Sequence, residues 1–497
     1  MLISSPQSLP RTTLINLTTM PFPFALPTTS SVLLSDFFTS STHPSLPLTA
    51  TTKRSVLKDA LKKHKRLPQR DQATHLPAVQ DAIMAYIPYL LALNTASAYR
   101  DVGTEQIDVE VVKPLEVEWR TTITATLPGR DPPRPKVTGL HHELAFTLSS
   151  LAYDHALLAR SQLRMLYGSD VLSAEQRTTA ISTSMKHLLS AHSIHSYLLS
   201  LPSVSAAKDS PVDIQPSTIS ALASLSLAEA TLIVVTKDDP YAAAVADNRN
   251  ENNTDWMYKS PTIPKVRAHL YARICLAAAE HASQACGLLA GGKIDEELVN
   301  YANDLRRTAR AKAIRFLAIN AELSGSTGEA LAWLNGAKRE LGLTAATASA
   351  ASSKGGFRGL KQSWQEKRED RKIASSKRDW GLDAGRLEEC RVVEMLDTKW
   401  DRENSTVNVQ LVPDFEPLLR QMPSGREYHT PEVWVPAVLD AATLAQMRAP
   451  PQPSQGVFRG DEEDSGDEDD QGAAGPVGSF PGTAGEYGRS ATSNSYY

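Results

Sequence analysis

Apolar positions three and four residues apart dominate most of the chain. Leu140, Leu144, Leu148, Leu151 and Leu158 share one face of a helix predicted over Leu140–Leu166. The same period returns in Thr178–Leu201, in Ile263–Leu289, and in the pair Leu298–Leu323 and Thr327–Leu341. Lys53–Arg66 predicts a short basic helix with Val56, Leu57 and Leu61 to pack. Pro77–Ser97 predicts an amphipathic one carrying Val79, Ile83, Ile87 and Leu90. Between these helical stretches the period changes to two. Ile107, Val109 and Val111 alternate with polar residues, as do Leu115, Val117 and Trp119 beyond Lys113-Pro114, which predicts a two-strand hairpin on a helical body. A last long helix is expected over Gly385–Asn404, then an extended segment in which Val407, Val409 and Leu411 alternate.

The most apolar helix is Ser217–Lys237, just after Pro216, a residue suited to the first helical turn. Its only charges are Glu229 and Lys237. Leu222, Leu225 and Leu232 form one stripe, and Ala223, Leu227, Ala230 and Val234 form another. A helix apolar on two sides is buried by neighbours on both, so it reads as the middle layer of a helical stack. Its Ser, Thr and Glu positions argue against a membrane span. The succession of helix pairs predicts a mainly α fold with a tetratricopeptide-like core, although no strict 34-residue repeat signature is present.

Composition refines this picture. Hydrophobic residues make up 41% of the 497 and mean hydropathy is -0.28, values of a soluble protein with a sizeable core. Cys275, Cys286 and Cys390 are too few and too scattered for a disulfide framework, which suits a reducing cytosol. The first residues lack the continuous apolar run of a signal peptide. From Pro450 onward nine acids face only Arg459 and Arg489, so this stretch carries -7 of the total -4 and leaves +3 on the body. Its Pro/Gly/Ser-rich, acidic composition predicts a disordered tail over 446–497. Residues 1–19 read as a disordered extension, 20–445 as one folded domain, and about 344–357 as a mobile low-complexity loop within it.

Chemical motifs are weak. Gly287–Lys293 has the spacing of a phosphate-binding loop, but Ile294 stands where a hydroxyl must meet Mg²⁺ and a helix precedes it, so the glycines read as a helix C-cap. His141-His142-Glu143 lacks the second histidine of a zinc helix, and His187, His192 and His195 put at most two side chains on one face. Gly325–Gly328 reads as a turn between helices. No nucleophile is spaced with a base, and nothing implies a cofactor or a metal. The basic runs Lys53–Arg70 and Lys354–Arg378 lack the interleaved aromatics of a nucleic-acid platform. They read as solvated helix faces, with contact to an anionic membrane as the alternative.

Several of these segments resemble the BRO-one domain, the boomerang-shaped scaffold of the Alix family. LHHELAFTLSSLAYDHALLA after Trp119, MKHLLSAHSIHSYLL, DIQPSTISALASLSLAEA, and Glu403-Asn404 with Val412-Pro413 are each similar to successive parts of that domain, over about residues 20–440. PFPFALPTTSSVLLSDFF, the stretch from LKDALKKHKR to YLLALN, and VPDFEPLLRQMPSGREYHTP resemble more closely its fungal pH-response regulators. The resemblance implies a non-catalytic cytoplasmic adaptor of alkaline-pH signalling, recruited to cortical plasma-membrane or endosomal sites. It would bind the C-terminal helix of the Snf-family ESCRT-III subunit, meet other proteins of that pathway, and promote proteolytic activation of the PacC transcription factor. General multivesicular-body sorting is the alternative. The resemblance places Val234, Lys237, Ile263, Lys265 and Val266 at the partner-helix site; Val234 stands for an aromatic, and Pro264 interrupts the second stretch.

Overall fold

In the computed structural model, residues 20–126, 129, 131–166, 173–205, 210–236, 238–241, 265–291, 293–343 and 381–450 are described. The predicted extension over 1–19, the loop over 344–357, the basic run Lys354–Arg378 and residues 451–497 of the predicted 446–497 tail lie outside them, whereas Met447, expected in that tail, is buried in a short helix. The chain divides into two units, Met1–Ala449 and Pro450–Tyr497.

The described residues are mainly helical. α1 (Ser45–Arg66) and α2 (Gln69–Ala96) are joined by a two-residue link and pack on each other. Both begin earlier than the periodicity predicts. Pro47 is accommodated in the first turn of α1, and α2 runs through Pro77 and Pro88. An internal proline forfeits a backbone hydrogen bond; here full burial of Val79, Ile83, Tyr86, Ile87 and Leu90 holds the helix together. α3 (Leu140–Met165), α4 (Ala174–Ser200), α5 (Pro216–Thr236), α6 (Lys265–Leu289), α7 (Glu296–Glu322) and α8 (Thr327–Leu341) then pack each on the next. α9 (Arg386–Glu403) closes against α7 and α8.

α5 is the middle layer expected of it, between α4 and α6. Leu222, Leu225, Ala228, Ala230 and Leu232 all lie at 1% exposure or less. Each buried leucine contributes about 1.5–3 kcal/mol relative to exposure. α2 and α5 are long and apolar enough to cross a bilayer, and 83% of the apolar window of α5 is buried in the core. Gly291, with φ +85°, follows the end of α6, and Gly325, with φ +80°, sits in the turn between α7 and α8, as the glycine positions predict.

The β-structure is small and paired differently from the expected hairpin. β1 (Phe38–Thr39) pairs antiparallel with β2 (Glu110–Val111), and β3 (Glu116–Glu118) pairs antiparallel with β4 (Lys136–Thr138). The two alternating runs therefore take separate partners. Ile107, Val109, Leu115, Val117 and Trp119 are all buried, so the second run uses its apolar face as expected, whereas in the first Val111 is 53% exposed. Alternation specifies that face but not which strand lies alongside.

Two stretches without regular structure bind the layers together. Residues 20–26 enter the core: Phe22 and Phe24 pack edge to face, Phe24 stacks on Tyr153, and Phe22 meets Tyr301. The buried Glu229 carboxylate of α5 accepts from Phe22 N at 3.0 Å and from Tyr301 Oη at 2.6 Å. At the other end, residues 421–440 form a strap. Arg426 N donates to Arg273 O of α6, Ser193 Oγ of α4 donates to Glu432 O, and Trp434 packs edge-on to Tyr197. Leu444 and Met447 of the short α11 (Ala441–Met447, after α10, Phe415–Arg420) are buried, and Ala449 N donates to Thr42 O.

Candidate functional site

α5 ends at Thr236 and α6 begins at Lys265, and the two helices pack on each other. Tyr271 Oη, in the second turn of α6, donates to Asp238 Oδ2 at 2.9 Å, just past the end of α5. The end of one helix and the start of the other therefore meet. Val234 is half-buried on the last turn of α5, whereas Lys265 and Val266 are exposed on the first turn of α6, Val266 at 82%. The remaining two predicted residues, Lys237 and Ile263, lie outside the described residues.

Beneath this end is a buried ion cluster. Lys312 Nζ of α7 lies 2.8 Å from Glu389 Oε2 of α9 and 3.5 Å from Asp239 Oδ2; Arg315 Nε lies 2.6 Å from Glu389 Oε1, and its other guanidinium nitrogens reach Asp239. All four side chains are at most 2% exposed. Burial pushes both carboxyls up, but Arg315 and Lys312 outweigh it and hold Asp239 and Glu389 below their usual values. Two cations against two anions make the cluster neutral, which suits burial. Asp239 thus clamps the turn after α5 onto α7 and α9. Burial also pushes the nearby Cys275 thiol up to about 12, leaving it protonated and unreactive.

The strap borders the same surface. His429 Nε2 lies 3.3 Å from Ala230 O, one helical turn before Val234. Glu427 meets His281 of α6 at 3.0 Å, and Gly425 lies so close to Ala277 that a Cβ there would be 2.8 Å from its backbone nitrogen. A ligand on Val234 must therefore lie beside the strap. Residue periodicity carries no signal for this, because a segment without regular structure has no period.

The other chemical motifs resolve into structure. Glu143 accepts from Arg54 Nε at 2.8 Å, Trp119 Nε1 at 2.6 Å and Tyr86 Oη at 3.2 Å, so it joins α1, α2 and α3 to the residue that follows β3. His142 Nδ1 is 2.6 Å from Thr138 O. His187 Nδ1 faces His155 Nδ1 at 3.0 Å, His192 Nδ1 faces Ala223 O at 2.9 Å, and His195 is buried at 2% exposure. Among the described residues no group of three His, Cys, Asp or Glu is placed to hold a metal.

No protein-family model matches the chain. It is 43% identical to the pH-response regulator protein palC of Emericella nidulans, over 94% of this chain and 99% of that protein. Among solved structures it is similar to a chain of the ALIX BRO1 CHMP4C complex, at TM-score 0.47 and 14% identity, covering 85% of this chain and 96% of that one. It is also similar to the Bro1 domain in a structure describing the basis for endosomal targeting, at TM-score 0.46 and 13% identity, covering 86% and 95%.

Proposed function

The chain belongs to the palC family of pH-response regulators, and from that premise we propose that it works as a non-catalytic adaptor in alkaline-pH signalling. The identity to palC across nearly the whole of both chains carries this reading. The adaptor holds the amphipathic C-terminal helix of the Snf-family ESCRT-III subunit at the α5–α6 end, and through that assembly promotes proteolytic activation of PacC. It is a cytoplasmic protein drawn to cortical plasma-membrane or endosomal sites.

The chemistry of the site supports this use. A helix bound in a groove needs apolar anchors and a rim of complementary charge. Val234 and Val266 supply anchors, and the exposed Lys265 supplies rim charge for acids on the partner. Lys237 and Ile263 complete the set by their sequence positions.

Titration calorimetry with the ESCRT-III C-terminal peptide tests it. The pair Val234→Asp with Lys237→Asp, and separately the exposed Val266→Asp, should each weaken binding at least about tenfold, which is about 1.4 kcal/mol, with the circular-dichroism spectrum intact. Unchanged affinity in both would remove the site. Deleting the gene should abolish growth at alkaline pH while endosomal sorting continues; lost sorting would favour the general sorting role.

A further inference from the structure

The end of α1, the start of α2, the end of α3 and residues 23–26 enclose a half-open cavity of about 670 Å³, distinct from the α5–α6 end. Cavities of this size hold small molecules. Five cations line it: Lys65, Arg70, Arg120, Arg160 and Arg164. Among the described residues no acidic side chain lines it. Its apolar lining includes Phe24, Leu26 and Leu157.

Ordinary helix chemistry explains only part of this. Lys65 and Arg164 occupy the last turns of α1 and α3, where a cation offsets the helix dipole by about 0.3–1 kcal/mol. Arg160 Nη1 also donates to Pro21 O at 2.6 Å and so helps hold the 20–26 segment. Arg70 needs neither role. Arg70 has only a loose, exposed pairing with Asp71 at 3.6 Å.

Three further observations point to an anion. The first turn of the 28-residue α2, through Gln69, Arg70 and Gln72, lines the cavity, and its N-cap, Pro68, provides no side-chain cap. An uncapped helix start offers N–H groups and the positive end of a dipole, here shared with Asp71, the first-turn acid whose own N–H donates to Pro68 O. His64, which borders the cavity, is 6% exposed and its Nδ1 has no hydrogen-bond partner. The Lys65 pKa is lowered, first by burial and then by Arg120 and Arg134, with Asp131 acting the other way. Cations crowded until they repel one another are relieved by a bound anion.

We propose that this cavity binds a compact polyphosphorylated ligand, its phosphoryl groups on the arginines, Lys65 and the start of α2, and its organic body on the apolar floor. Guanidinium groups favour phosphoryl oxygens because the planar fork can donate two hydrogen bonds at once. A half-open hollow of this volume suits a small ligand, whereas an acidic peptide calls for an extended groove or strand edge. The ligand is either a free polyphosphate or a phosphoinositide headgroup on a membrane; the site chemistry is the same.

The test uses the full chain and two probes: inositol hexakisphosphate by calorimetry, and phosphatidylcholine vesicles containing phosphatidylinositol 4,5-bisphosphate by co-sedimentation. Lys65→Glu with Arg70→Glu, both exposed, should weaken binding at least tenfold at unchanged melting temperature. Lys65→Met with Arg70→Met keeps the apolar stems and should also weaken it. The control pair Lys63→Glu with Arg66→Glu makes the same charge change outside the cavity and should alter affinity less than threefold. Binding to the soluble probe alone identifies a free polyphosphate, and binding to the vesicles alone identifies a lipid headgroup. The proposal falls if neither probe binds, if the control pair weakens binding as much as the cavity pair, or if a Glu-rich peptide displaces the phosphate at lower concentration.

Discussion

Asp154 of α3 is fully buried, and neither carboxyl oxygen has a hydrogen-bond partner. Burial, then the charge of Asp81, pushes its pKa up to about 8. Burial likewise raises Glu229 to about 7, against the hydrogen bonds from Tyr301 and Phe22. Between the ordinary carboxyl range and these values the folded chain holds protons that the unfolded chain has released. Stability therefore falls as pH rises from about 4 to about 8 on account of these two groups. Two histidines act at the other side. Burial pushes His155 and His195 down to about 3, so the unfolded chain binds protons that the folded chain refuses, and stability falls as pH drops from about 6.5 to about 3. Asp154→Asn should leave the urea midpoint nearly unchanged below pH 4 and raise stability by a few kcal/mol at pH 9. Parallel midpoints for variant and parent across that range would refute the burial argument. These groups were not legible in the sequence. Asp154 sits in a helix whose period was read correctly, but one residue type does not reveal what surrounds it.

At the scale of elements, local signals act where their partners are close in sequence. Ser173 accepts from Gln176 N at 3.1 Å, and the Gln176 side chain returns a bond to Ser173 N at 2.9 Å, a capping box at the start of α4. Ser173→Ala should cost about 1 kcal/mol in thermal or urea unfolding; no measurable loss would mean that packing alone sets this end. The strap obeys non-local rules. At Gly425 an added Cβ meets the Ala277 backbone, which cannot yield as a side chain would. Gly425→Ala should lift residues 421–435 and raise their proteolysis or hydrogen exchange, with the helices unaffected. Protection equal to the parent would show that the strap tolerates the added methyl. The segment after α9 also departs from its pattern. Val407, Val409 and Leu411 alternate, yet Asn404–Asn408 forms a π-helical turn and Val409 has φ +46°. Asn404 holds this shape, with its Nδ2 donating to Gln410 O at 2.9 Å and its Oδ1 accepting from Gln410 N at 3.0 Å.

Across the whole molecule, the Asp239–Lys312–Arg315–Glu389 cluster joins elements far apart in the chain at a dry site. Glu389→Ala leaves two buried cations facing one carboxylate and should destabilise by about 3–5 kcal/mol. A change under 1 kcal/mol in a urea titration would mean that water or a shifted side chain replaces the lost charge. Because Asp239 follows α5 directly, the same variant should also weaken partner binding at the α5–α6 end if that site operates. Cooling to restore the fold without restoring affinity would separate the two effects.

The helices, the burial of α5 on both sides and the small β-structure follow from the sequence alone, because amphipathic period and turn residues act over one or two turns of chain. Membership of the pH-response regulators was legible for a related reason, since many short patterns retain their order along the chain. Strand partners, the path of the strap, the burial of Asp154 and the convergence of Lys65, Arg70, Arg120 and Arg164 on one cavity were decided only in three dimensions. Each depends on groups dozens to hundreds of residues apart, whose meeting is set by how layers pack and which charges share a dry or half-open space.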